Sequence, residues 1–222
     1  MKKIIGGWIF LFTVFAVHAQ TTEFQPSWAF GLNAGATLSN VSFTPSVPQK
    51  MLLQESGGLV ARYISEKHFG LQAELNYALR GWKEESDTVT HFNKYARSLA
   101  YLELPVMMHF YYDLGKRARF VFNAGPQISY NIGEKELEEE IVTPPNSDPF
   151  IPLYYDQKVQ RKFDYGLTGG LGIEIRTGIG NFILEGRYYY GLSDIFHNRR
   201  IDTFQSSHNQ VIGVKLAYLI ER

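Results

Sequence analysis

Asp202, Ser206, Ser207 and His208 lie close together near the C-terminal end of the chain, and they are the residue types of nucleophilic acyl transfer. A serine hydroxyl becomes a nucleophile when an imidazole takes its proton and an acid holds that imidazole in the right tautomer. In that reading Ser206 or Ser207 attacks, His208 is the base and Asp202 orients it. The reaction would be acyl hydrolysis of a membrane lipid. No nucleophile elbow surrounds either serine, and nothing in the spacing brings His208 within reach of a hydroxyl, so the chain is read as non-enzymatic and without a catalytic residue.

Other chemistry is thinner still. His68, His91, His109, His197 and His208 are scattered without ligand spacing, and there is no cysteine, so neither a metal nor a cofactor is expected. The run Glu134, Glu136, Glu138, Glu139 and Glu140 could chelate a divalent cation but reads as a solvated charge run. Arg199 and Arg200 could meet lipid phosphates, with an ordinary exposed loop as the plainer reading. Pro144, Pro145, Pro149 and Pro152 stiffen an irregular loop. Such a loop could hold a protein or glycan, though nothing identifies the partner.

The charges that repeat at alternate positions are more informative. Glu74, Glu103, Asp164, Glu174 and Glu185 are matched by Arg62, Arg80, Arg176, Arg187 and Lys215. Each stands on the polar side of a segment in which every second residue is apolar. From 69 to 79, Phe69, Leu71, Ala73, Leu75, Tyr77 and Leu79 alternate with small, polar or charged residues. That period of two marks a strand with one apolar and one polar face. Soluble strands run about five or six residues, whereas a strand that crosses a bilayer needs roughly 9–11.

Eight such segments are expected, over 28–38, 58–64, 69–79, 98–111, 120–131, 163–176, 182–192 and 210–220. The connections alternate in length. Those over 39–56, 82–97, 132–162 and 193–209 are long, and those over 65–68, 112–119 and 177–181 are short. Short turns on one side and long loops on the other are the mark of an outer-membrane barrel. The fold expected is therefore an all-β, eight-stranded antiparallel up-and-down transmembrane β-barrel. Eight strands enclose just enough space for side chains, so the ten charged residues should form a packed lumen network and no open pore. An outward arginine at Leu75 should cost more than an inward one at Asn76.

The N-terminus reads as a cleavable signal peptide: Lys2 and Lys3, an apolar run from Ile4 to Val17, then Val17-His18-Ala19 before Gln20. The organisation expected is thus residues 1–19 as signal peptide, 20–27 as a short N-terminal segment and 28–222 as the barrel. The formal net charge of +0 becomes −2 when Lys2 and Lys3 leave, so no field favours nucleic acid. Fourteen Tyr and 16 Phe would suit the aromatic girdles of an outer-membrane barrel.

The chain resembles the PorT-like outer-membrane β-barrel family of Gram-negative bacteria. The resemblance is carried by Phe30-Gly31-Leu32-Asn33-Ala34-Gly35, by Leu71-Gln72-Ala73-Glu74-Leu75-Asn76-Tyr77 and above all by Tyr101-Leu102-Glu103-Leu104-Pro105-Val106. Asn123-Ala124-Gly125-Pro126, Phe163-Asp164-Tyr165-Gly166-Leu167 and Arg187-Tyr188-Tyr189-Tyr190-Gly191-Leu192 are similar to the family pattern too. It implies a signal peptide, an outer-membrane location and no assigned biochemical activity. The function expected is a structural, adhesion or envelope-assembly role through the loops. The partners expected are outer-membrane lipid, lipopolysaccharide and an unidentified envelope protein, with a monomeric barrel. The competing readings are the acyl hydrolase and a soluble calycin-like barrel that binds a small apolar ligand.

Overall fold

Alternating side chains sort themselves by closing the sheet on itself, which puts one face of every strand on a common axis and leaves no edge unpaired. The computed structural model of the chain describes residues 24–88, 91–142, 158–197 and 204–222. It contains eight long strands: β1 (Ser27–Thr44), β2 (Leu52–Glu66), β3 (Phe69–Thr88), β4 (His91–Asp113), β5 (Ala118–Val142), β6 (Phe163–Thr177), β7 (Gly180–Asp194) and β8 (Ser206–Glu221). Each pairs antiparallel with the next in sequence, and β8 returns to β1 through pairs such as Ala34↔Leu216. The sheet is therefore a closed up-and-down barrel. A two-residue piece, Gln49–Lys50, adds to the upper part of β3 opposite Glu84 and Lys83.

All eight expected strands are present, and most are longer than the alternation indicated. The expected connections over 39–56 and 82–97 are largely strand, because β1 continues to Thr44, β2 begins at Leu52, β3 runs to Thr88 and β4 starts at His91. Likewise β5 extends to Val142. The physical reason is solvent: beyond the hydrocarbon the ladder of backbone hydrogen bonds is unchanged, but the outer face no longer has to be apolar. Pro105 leaves its mark too, since the β3–β4 ladder skips from Ala73↔Val106 to Asn76↔Glu103, where the proline nitrogen has no proton to donate. The expected signal peptide and the first half of the segment over 20–27 lie outside the described residues.

The outward face is a continuous apolar belt that includes Leu32, Leu59, Leu75, Leu104, Ile128, Leu171, Leu184 and Val214, all exposed. Aromatic rings mark its two borders. At the short-turn end Trp28 stacks on Phe30 and Tyr63, and Phe110 lies against Phe69 and Phe122. Toward the loop end Tyr77, Tyr130, Phe163 and Tyr190 face outward. Two girdles framing an apolar band is what interfacial aromatic rings produce in a bilayer.

Inside, the barrel is layered. Ala29, Val60, Ile64, Tyr111, Val121, Ile183 and Leu219 close the short-turn end. Val41, Phe43, Trp82, Tyr95, Leu99, Phe196 and Phe204 belong to the larger apolar cluster at the loop end. Charged and amide side chains fill the space between these two layers.

Candidate functional site

The polar layer is built by alternation along the strands. On β3, Glu74, Asn76, Ala78 and Arg80 are successive inward residues, all buried. Glu74 is the hub. Its Oε1 accepts from Arg187 Nη2 (2.8 Å) and Gln72 Nε2 (2.7 Å), and its Oε2 accepts from Arg187 Nη1 (2.7 Å), Asn76 Nδ2 (2.9 Å) and Lys215 Nζ (3.1 Å). Arg187 thus grips the carboxylate at two points, the geometry that makes a guanidinium pair rigid as well as strong. Its Nε donates to Glu185 (2.7 Å), whose other oxygen accepts from Asn123 Nδ2 (2.6 Å). Asn123 Oδ1 in turn lies 2.7 Å from His109 Nδ1, and because its Nδ2 is committed to Glu185 the histidine nitrogen is the donor in that contact.

Toward the short-turn end, Gln72 Oε1 accepts from Arg62 Nε (2.9 Å), and Arg62 Nη1 donates to Glu174 at 2.6 Å. Arg119 lies 3.7 Å from the other Glu174 oxygen and donates to Asp113 at 2.9 Å. Toward the loop end a second group centres on Arg80. It donates to Glu103 (2.8 Å), Asp164 (3.0 Å) and Ser129 (3.3 Å), and its guanidinium lies over the rings of Tyr189 (4.2 Å) and Tyr101 (5.0 Å). Asp164 also accepts from Ser193 and from Asn209 Nδ2. A cavity of about 30 Å³ separates the two groups, room for a water or two and nothing larger.

Nine of the ten charged residues singled out in the sequence are brought into these groups. Arg176 is not. It sits at the short-turn rim, where it donates to the Lys116 carbonyl (3.0 Å) and lies 3.4 Å from Asp113. The strand ends at Thr177, so its long side chain reaches the turn and water instead of the axis. The network also recruits Arg119, Ser193 and Asn209, which the sequence had placed in connections. Asn76 is fully buried, with its amide held between Asn33 and Glu74. An arginine there is therefore not the milder change expected from facing alone, because the inward position is already filled.

The serine and histidine cluster does not assemble. Ser206 Oγ donates to Thr44 Oγ1 (2.8 Å), Ser207 Oγ accepts from the Phe196 N–H (3.1 Å), and His208 Nδ1 lies 3.2 Å from the Ser193 carbonyl. All three sit on β8, where the ladder to β1 holds them in extended backbone and Ser207 and His208 point to opposite sides. Asp202, Arg199 and Arg200 lie outside the described residues, as do the prolines of the 143–157 stretch. Among the described residues no three His, Asp or Glu side chains are grouped to hold a metal.

The family model described as outer membrane protein beta-barrel domain matches residues 18–197. Among solved structures, the attachment invasion locus protein Ail of Yersinia pestis, determined with the heparin analogue sucrose octasulfate, is 12% identical with a TM-score of 0.42, over 87% of this chain and 99% of that one. Neisserial surface protein A is 13% identical with a TM-score of 0.43, over 86% and 97%. The N-terminal β-barrel domain of Pseudomonas aeruginosa OprF is 7% identical with a TM-score of 0.34. No curated protein matches the chain.

Proposed function

Because the chain belongs to the outer membrane protein beta-barrel domain family, and so resides in the outer membrane, we propose that it is a non-enzymatic barrel that acts through its loop end and conducts nothing through its interior. The observation that carries this reading is the filled lumen. A channel needs a continuous polar path with bound water, whereas here the charged layer is closed by an apolar cluster on each side. A network of this kind serves to brace the strands.

What remains available to a partner is the loop end, where β3, β4 and β5 run on past the outer girdle as a raised sheet. A structural, adhesion or envelope-assembly role fits that shape, with an envelope protein or lipopolysaccharide as the surface met there. The chain is assigned to the PorT-like group within the family on the Tyr101–Val106 strand and its companions. Residues 1–19 are assigned as a signal peptide removed after Ala19, and the closed barrel requires no second copy.

Planar-bilayer recording from purified protein tests the reading. No stable step conductance is expected, and reproducible ion-conducting steps would overturn it. Lipid mass spectrometry on cells that overproduce the wild type or the His208→Ala variant should give identical profiles. A deacylated lipid present only with the wild type would restore the hydrolase.

A further inference from the structure

Among the described residues the wall has its longest ladder interruption between β2 and β3. β2 pairs with β3 from Glu66↔Phe69 up to Ser56↔Ala78 and there the ladder stops. It resumes only at Lys50↔Lys83, on the two-residue piece. Between these points residues 51–55 face residues 79–82 with no ladder bonds. β1 compensates from inside: Ser39 Oγ accepts from the Gly81 N–H (2.9 Å), and Thr37 Oγ1 donates to the Leu79 carbonyl at 3.4 Å, both reaching beneath β2. Over 53–55 β2 is laddered to β1 but has no ladder partner on β3, and only side chains such as Ser98, whose Oγ donates to Gln54 Oε1 at 3.0 Å, cross the seam there.

On the outer surface this seam is a trough. Two depressions of about 430 and 410 Å³ run into one another, sharing Gln54 and Leu79. Each lies within the range of roughly 300–1,000 Å³ that holds a small molecule. Small residues form the floor, Ala36 under one half and Ala100 with Gly133 under the other. A bulge in β5 between the partners of Ala100 and Tyr101 lies beside it. Leu53, Tyr77 and Leu137 are exposed along its sides, and Glu55, Glu134 and Lys135 form a polar rim. Leu79 lines both the trough and the small lumen cavity, so the wall is a single strand thick between them.

Height decides what covers this trough. Leu79 stands ten residues above Phe69, which at about 3.4 Å per residue and a tilt near 40° is roughly 25 Å, the outer boundary of the hydrocarbon. At that height an acyl chain and the headgroup of the same lipid both reach the wall, so apolar and polar surface can be covered together. A plain hydrocarbon tail would cover Leu53, Leu79 and Tyr77 but leave the β2 edge and Lys135 unsatisfied. A plain polar solute would do the reverse.

We propose that the seam between β2 and β3 is a binding site for one phospholipid at the loop-end boundary of the hydrocarbon, its acyl chain lying over the Ala100–Gly133 floor and its headgroup hydrogen-bonding to the edge over 53–55 and to Lys135. The lipid takes the place of the missing ladder and seals the wall. The inference needs the membrane location but not the closed lumen, so a conductance result leaves it untouched.

The test is native mass spectrometry of the full barrel released from phosphatidylethanolamine nanodiscs, at an activation energy that strips loosely held lipid. A Cβ added at Gly133 would meet nothing nearer than Ala100 Cβ at 3.9 Å, so the backbone there accepts a side chain and Gly133→Leu places one in the trough. Gly186, exposed on the far side of the barrel and equally open, supplies the control Gly186→Leu. One retained lipid is expected on the wild type and on Gly186→Leu, with occupancy reduced at least about tenfold in Gly133→Leu and Ala100→Leu. No retained lipid on the wild type, equal retention in all four, equal loss in the control, or a retained second barrel instead of lipid would each overturn the proposal. A diazirine-bearing phosphatidylethanolamine reads the wild type independently of any variant's folding. Crosslinks concentrated on 53–55, 77–79 and 133–137 support the site, and crosslinks spread evenly around the belt refute it.

Discussion

Arg187 on β7 and Glu74 on β3 face each other across the full width of the barrel, because with eight strands in circular order the third and seventh are diametrically opposed. Their two contacts, 2.7 and 2.8 Å, therefore act as a strut and not as a patch between neighbours. Arg62 on β2 and Glu174 on β6 repeat the arrangement one step round, at 2.6 Å. A buried pair of this kind adds little over a well-packed apolar pair, but removing one partner strands the other charge in low dielectric.

Glu74→Ala leaves both Arg187 and Lys215 without their main acceptor, so a loss of about 3–5 kcal/mol is expected. Equilibrium urea unfolding in lipid vesicles measures it. A loss under about 1 kcal/mol would mean that water reaches the hub and solvates the two cations, which would contradict the closed lumen.

On the outer face the controlling variable is depth. Leu75 lies mid-belt and is 44% exposed, whereas Tyr112, 66% exposed, stands at the short-turn border. Leu75→Arg should cost about 2–4 kcal/mol and Tyr112→Arg about 0–1 kcal/mol, since a charge near the interface reaches water. Refolding both variants into the same vesicles settles the comparison, and equal costs would refute the assigned depths.

Much of this wall was legible in the sequence, and the reason is the bilayer. Hydrocarbon penalises every outward polar residue, so Phe69 to Leu79 had to alternate and its inward face could be read directly. Above the belt that penalty vanishes. Trp82-Lys83-Glu84-Glu85-Ser86-Asp87 shows no clean alternation although β3 runs through it, and the segment therefore read as a loop. Facing was legible, but partnership was not: alternation says that Glu74 and Arg187 point inward, whereas their meeting depends on the tilt and stagger of strands four places apart. Arg176 shows the other limit, because its parity was inward while its height at the strand end sent it to the turn.

Closure of the barrel should be sensitive to Gly31. It is an inward residue of β1 opposite Leu219 of β8, and a Cβ there would fall onto the Tyr218 backbone carbonyl. Backbone cannot rotate aside as a side chain can, so Gly31→Ala is expected to cost about 1–3 kcal/mol by forcing the closing strands apart. Gly186→Ala, with no heavy atom nearer than 3.9 Å, should stay within about 0.5 kcal/mol. Heat-modifiable gel migration after refolding gives the readout, and a Gly31→Ala variant that folds as the wild type does would show that β1 and β8 have room for a methyl group between them.

Trp82 separates the two seals of the lumen. Its ring is fully buried in the loop-end cluster, edge-on to Phe43 with centroids 5.5 Å apart, and its indole N–H donates to Glu84 at 2.8 Å. Trp82→Ala should cost about 3–5 kcal/mol, the price of a large cavity in a packed aromatic layer. It should nonetheless leave the barrel non-conducting, because Arg80 still spans from Glu103 to Asp164 beneath the cavity. Urea unfolding reports the first effect and planar-bilayer recording the second. If the variant conducts, the aromatic layer alone holds back ions, and the charged layer is porous to water in spite of its contacts.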